Sequence, residues 1–214
     1  MSGGWHWTLC TAFHYACFKG LAECVATLVE AGCDTKLQST AWFWDDKGIR
    51  AGSDLIDVYH STVGSNGVLE MDFAIDKRGL VDDAQAWTYA RFGQWIRGCY
   101  GPGVAVAEAN ATAGPDAALT LPLPLPANAS VDRFWVREDI AQGQRVRAFT
   151  ISGQAVAGGP WQVLATGTSI GNKAIVLLPN GAVSLHAANL TITQATHPPI
   201  IKSFAAFRPC PDSF

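Results

Sequence analysis

Residues 118–126 read ALTLPLPLP, and their three prolines decide the fold of the second half of the chain. In an extended segment alternate side chains share a face, so Pro122, Pro124 and Pro126 all point the same way. A proline has no N–H to give a neighbouring strand, which an edge strand tolerates and a central strand does not. The stretch therefore reads as an edge strand. Beyond it, six more short runs recur between turn residues: DRFWVRE, RVRAFTIS, WQVLATG, KAIVLLP, AVSLHAANL and IIKSFAAFR. Seven such runs predict an antiparallel β-sandwich over 117–210. Residues 101–116, GPGVAVAEANATAGPD, read as a linker ahead of it.

Upstream the rhythm changes. SDLIDVYHSTVG (53–64) predicts a helix with Leu55, Val58, Tyr59, Thr62 and Val63 on one stripe and Gly64 as its stop. GVLEMDFAI (67–75) predicts a strand, Asp76-Lys77-Arg78-Gly79 a turn, and Asp83 to Arg97 a second helix with Ala86, Tyr89, Ala90, Gly93 and Ile96 in register. Helix, strand, helix is an α/β pattern. Residues 11–34, TAFHYACFKGLAECVATLVEAGCD, resemble one ankyrin repeat: Thr11-Ala12-Phe13-His14 opens it, Gly20 sits in the turn, and Val25, Leu28 and Val29 share a face. Gly32 caps its second helix. His14 reads as a turn residue bonded to backbone, and one repeat cannot bury its own apolar face.

The 214 residues carry a formal charge of −3, which gives no field to recruit nucleic acid or an anionic membrane. No apolar run is long enough to predict a membrane span. Four of the six cysteines fall within the first 33 residues without a Cys-x-x-Cys pair, so no metal site is expected and the cysteines read as buried thiols. The opening residues show no secretory leader pattern, which suggests the cytoplasm. Three N-glycosylation sequons, at Asn110, Asn128 and Asn189, point instead to a secreted protein.

Four stretches carry a resemblance to a known family: TAWFWDDKGIRAGSDLIDVYHSTVGSNGVLEMDFAIDKRGLV (40–81), YARFGQWIRGCYG (89–101), VREDIAQGQRVRAF (136–149) and GTSIGNKAI (167–175). In this order they resemble the C-terminal portion of α-L-fucosidases of glycoside hydrolase family 29, over residues 39–209. The resemblance implies an α+β chain in parts. Residues 1–38 would be an ankyrin-like helix pair, 39–100 the C-terminal fragment of a (β/α)₈ barrel, 101–116 a linker, and 117–210 a jelly-roll or galactose-binding-like β-sandwich. It also implies retaining hydrolysis of α-L-fucosides, without a cofactor, in a secreted or lysosomal protein.

Retaining hydrolysis needs two carboxyl groups about 5–5.5 Å apart. The family nucleophile lies upstream of the Trp-Phe-Trp segment, in a region these residues do not contain. In one branch the acid/base Glu directly precedes a Cys-Asp-Thr segment, and here Gly32 precedes Cys33-Asp34-Thr35. No catalytic residue is therefore assigned, and hydrolysis by these residues alone is not expected. Glu70 and Asp72 would stand about 7 Å apart on one strand face, a spacing suited to an inverting pair, but they read as its polar side. By the resemblance Trp42 and Trp44 line the sugar pocket, while Trp135 and Trp161 read as core. The expected ligand is a fucosylated glycan. The alternative is a non-catalytic glycan-binding or protein-interaction fusion, with a protein partner on the ankyrin-like repeat.

Overall fold

The computed structural model describes residues 49–71, 75–114 and 119–214. The ankyrin-like stretch, Gly32, Trp42, Trp44 and Asp72 lie outside them. The described chain falls into two compact units. One holds the residues up to Thr62, Leu69–Gly93 and Asp212–Phe214, and the other Val63–Val68 and Gln94–Pro211.

In the first unit, helix α1 (Gly52–Thr62) buries Leu55, Ile56, Val58 and Tyr59. Tyr59 meets Phe92 edge to face at 6.2 Å, and Phe92 stacks on Phe214 at 5.9 Å. The predicted turn forms at Asp76, where Gly79 takes φ +80° and its N–H donates to the Asp76 carbonyl at 2.9 Å. Asp82 caps helix α2 (Asp83–Tyr100), its Oδ1 accepting from the Ala84 N–H at 2.9 Å.

Two readings of this region change. The predicted strand is not formed at residues 67–71, and Ile75 makes only an isolated bridge to Val81. Helix α2 buries Phe92, Trp95 and Cys99, whereas Ala86, Tyr89 and Ala90 are exposed. At 100° per residue Trp87, Tyr89, Phe92 and Trp95 spread around the helix, so the aromatic pattern alone does not select the buried face.

The second unit is the β-sandwich. Its strands are β1 (Ala107–Thr112), β2 (Leu119–Val131), β3 (Arg133–Glu138), β4 (Val146–Gln154), β5 (Trp161–Gly167), β6 (Ala174–Leu177), β7 (Val183–Ala195) and β8 (Ile200–Phe207). They form two four-stranded sheets, ordered β1-β8-β3-β6 and β2-β7-β4-β5, with every pairing antiparallel. All seven predicted runs become strands. The eighth, β1, lies in the stretch read as a linker: alternating Ala, Glu and Asn make a weak signal, yet small residues suffice at an edge.

β2 is an edge strand, as its prolines require, and Pro122, Pro124 and Pro126 are exposed while Leu121, Leu123 and Leu125 are buried. Between the sheets Phe134 stacks on Phe204 at 5.5 Å, and Val131, Val136, Val146, Ile151 and Leu190 are fully buried around them. Each such side chain contributes about 1.5–3 kcal/mol on leaving water.

The opposite face of the first sheet is also covered. Tyr100 stacks on Trp135 at 6.1 Å, and both rings meet Phe207, at 5.3 and 4.9 Å. The Trp95 indole N–H donates to the Pro211 carbonyl at 2.8 Å. A disulfide joins Cys99 to Cys210, with their Cα atoms 6.0 Å apart. This corrects the reading of all six cysteines as thiols. Nothing local to either cysteine signals a bond across 111 residues; only the fold of α2 and β8 brings them together.

Candidate functional site

The two motifs of the sandwich, VREDIAQGQRVRAF and GTSIGNKAI, meet at one buried carboxylate. Glu138 is 1% exposed at the end of β3. Its Oε1 accepts from the N–H groups of Arg145 (2.7 Å) and Val146 (3.1 Å), and its Oε2 from that of Gly171 (3.3 Å). In return the Glu138 N–H donates to the Gly171 carbonyl at 2.9 Å. A carboxylate in this position is satisfied by backbone and serves as a clamp.

Residues around the second motif extend the clamp. Gly171 has φ +64°, and a Cβ there would collide with the Asn66 side chain. Asn66 itself has φ +68°; its Oδ1 accepts from the Asn172 N–H at 2.5 Å, and its own N–H donates to the Lys173 carbonyl at 2.9 Å. The Ile175 N–H donates to the Gly64 carbonyl at 2.8 Å. Residues 64–66 therefore cover the open edge of β6, the device by which a sheet avoids pairing with another chain.

A second buried group is Arg133, 2% exposed. Its guanidinium donates to Asp132 Oδ1 (2.6 Å) and to the carbonyls of Arg208 (2.7 Å) and Cys99 (3.2 Å), over the ring of Tyr100. Its Nε finds no acceptor among the described residues. Nearby, Lys173 lies 4.6 Å from the Trp135 ring centroid. Burial, and then the Arg137 charge, push the Lys173 ammonium below its ordinary range.

Of the sequence-derived site residues, Trp42, Trp44 and Gly32 lie outside the described residues, as does Asp72. Glu70 is exposed and in no strand, so the geometry imagined for a Glu70–Asp72 pair does not form. Trp135 is packed, its indole N–H donating to Ser203 Oγ at 2.8 Å. Trp161 is not: it is 45% exposed, beside Val163 at 66%, which overturns its assignment to the core. β5 is an edge strand, and the Trp161 face is turned away from the other sheet. The ladder sets Trp161 opposite Gln154 and Val163 opposite Ser152, and Ser152 in turn opposite Asn189. A flat indole edged by amides and hydroxyls has the chemistry to meet a sugar. Among the described residues no group of three or more His, Cys, Asp or Glu side chains could hold a metal ion. No described helix is long and apolar enough to cross a membrane.

No model of a known protein family matches the chain. Among curated proteins, alpha-L-fucosidase 1 of Arabidopsis thaliana is 20% identical over 201 residues, 81% of this chain. Among solved structures, a candidate alpha-L-fucosidase of Bacteroides thetaiotaomicron is 26% identical over 78% of this chain, with a TM-score of 0.71. The C-terminal part of the chain is homologous to the family 29 α-L-fucosidases. A Ruminococcus gnavus glycoside hydrolase family 29 fucosidase, solved in complex with fucose, shares the fold, with a TM-score of 0.70 at 19% identity over 81% of this chain. The chain spans 39% of the Arabidopsis protein, 37% of the Bacteroides one and 40% of the Ruminococcus one.

Proposed function

We propose that residues 39–209 are the C-terminal portion of a retaining α-L-fucosidase unit acting on fucosylated glycans. The observation that carries this is the match to the Bacteroides thetaiotaomicron protein, 26% identical over 78% of the chain in one fold. The clamp at Glu138 agrees with it, because two stretches that prompted the resemblance hold one carboxylate between them.

The reaction needs a nucleophile and an acid/base on different barrel strands. Among the described acids, Glu138 is engaged by three backbone N–H groups and Asp76 by its own turn. The sandwich thus supplies scaffold, and the carboxyl pair must come from elsewhere in a complete barrel. Trp42 and Trp44 are the residues here that would line the pocket of that barrel. The test is hydrolysis of an aryl α-L-fucoside by the purified 214-residue chain, beside an intact family enzyme. This reading predicts aryl release by the intact enzyme alone, and turnover by the chain would overturn it.

One observation favours a second role. The exposed Trp161 and Val163 offer an apolar surface on which a glycan could stack outside the barrel. Binding on a glycan array that Trp161→Ala abolishes would support this role, and an array without signal would remove it.

A further inference from the structure

The three sequons have the same form in sequence, and the fold separates them. Asn110 lies on β1 and Asn128 on β2, the edge strands of the two sheets, which pack against each other along one side of the sandwich. Asn110 is exposed at the point where the β1–β8 register shifts, between Ala109 and Ala111, and the Thr112 of its sequon is exposed too. Asn128 is exposed with φ +55°, a left-handed conformation that Asn accepts more readily than most residues. Between Pro124 and Ala129 the β2 strand takes five steps while β7 takes two, from Ala187 to Leu185, so Asn128 sits in a bulge with no ladder partner.

Asn189 is placed differently. It is half-buried in β7, a central strand, and is paired with Pro122 on one side and Ser152 on the other. The hydroxyl its sequon needs, on Thr191, contacts that of Thr120 at 3.4 Å. A second feature of the same unit agrees with a secretory route: the Cys99–Cys210 disulfide belongs to the oxidising compartments in which Asn-linked glycans are added.

We propose that Asn110 and Asn128 are N-glycan acceptor sites and that Asn189 is not. The donor is an oligosaccharide on a polyprenyl diphosphate. The Asn Nδ2 bonds to the sugar C1 as the C1–O bond to the diphosphate breaks. The lipid diphosphate leaves with the electron pair, and Nδ2 gives one proton to a base of the transferase, with no change of oxidation state. Transfer requires a reachable amide and a reachable hydroxyl two residues on. Asn110 and Asn128 are exposed on edge strands at register shifts and have no ladder partner of their own, so their amides are reachable; Asn189 is half-buried and paired on both sides. Both glycans would stand on one lateral edge of the sandwich, where they would block strand addition to β1 and β2, an edge the β2 prolines already blunt.

The test is expression of the full 214-residue chain behind a secretion leader in a eukaryotic host, with peptide mapping of both secreted and cell-retained protein. Enzymatic glycan release in heavy-oxygen water marks each formerly glycosylated Asn as a labelled Asp. The expected map shows label at Asn110 and Asn128, none at Asn189, and a peptide linked through Cys99 and Cys210. Thr112→Ala and Ser130→Ala should each remove one of two glycan mass steps, although the acceptor Asn is retained. Label at Asn189, absence of label at Asn110 or Asn128, or label that survives its sequon substitution would each overturn the proposal.

Discussion

Glu138 and Gly171 hold each other twice: the Glu138 N–H donates to the Gly171 carbonyl at 2.9 Å, and the Gly171 N–H donates back to Glu138 Oε2 at 3.3 Å. Between them they join the end of β3 to the loop before β6, and Glu138 Oε1 draws in the start of β4 at Val146. Glu138→Ala would leave three backbone N–H groups without an acceptor, those of Val146 and Gly171 buried and that of Arg145 part-buried. Each unmet donor costs about 1–3 kcal/mol, so this variant should be among the least stable single substitutions in the sandwich. Glu138→Gln, which keeps one acceptor oxygen, should lose less. Urea unfolding of the two variants checks the order.

Gly171→Ala should also destabilise, through conformation as well as contact. A left-handed residue other than glycine costs about 1–3 kcal/mol, and the new Cβ would strike Asn66. Asn66→Ala in the same background should recover the steric part and leave the conformational part, which a double-mutant comparison of unfolding free energies separates.

Removing the Cys99–Cys210 bond should lower stability by about 2–4 kcal/mol, since it closes a long loop in the unfolded chain. Cys99→Ala with Cys210→Ala, compared by thermal unfolding with the oxidised parent, measures this. Addition of reductant should bring the parent close to the double variant and leave the variant itself unchanged.

Asp76 should make one step in stability against pH. The side-chain hydrogen bond from Arg78 and then the Leu80 backbone N–H hold its carboxyl below the ordinary value of 3.8 against the opposing effect of burial, with the Arg78 backbone N–H and charge adding less. A carboxylate lowered on folding contributes stability above its unfolded pKa and loses it as pH falls through the folded one. The difference in melting temperature between the parent and Asp76→Asn should therefore be complete at neutral pH and shrink below about pH 4. A difference that stays constant down to strongly acid pH would show that the charge is not what Asp76 contributes.

The strands of the sandwich were legible because their residues are opinionated: alternating leucine and proline in β2, and Phe134, Trp135 and Val136 in β3. β1 was not, because an edge strand of alanine, glutamate and asparagine carries little apolar signal. The face of α2 was misread because its aromatic residues spread around the helix, and packing of Phe92, Trp95 and Cys99 decides which side is buried. The disulfide and the Glu138 clamp depend on residues far apart in sequence, so neither local pattern nor spacing reveals them. Trp161 failed for the converse reason. An indole in an apolar run reads as core, but β5 is an edge strand and the neighbouring Val163 is exposed as well.

The most direct measurement concerns the nucleophile. A fluorinated fucosyl fluoride traps the slow covalent intermediate of a retaining enzyme, and intact-mass analysis of the 214-residue chain after incubation shows whether one forms. The account predicts an unmodified mass for the chain and a single fucosyl adduct on an intact family enzyme treated alongside. An adduct on the chain, mapped to one of its carboxylates, would contradict the claim that these residues supply scaffold and not the reacting pair.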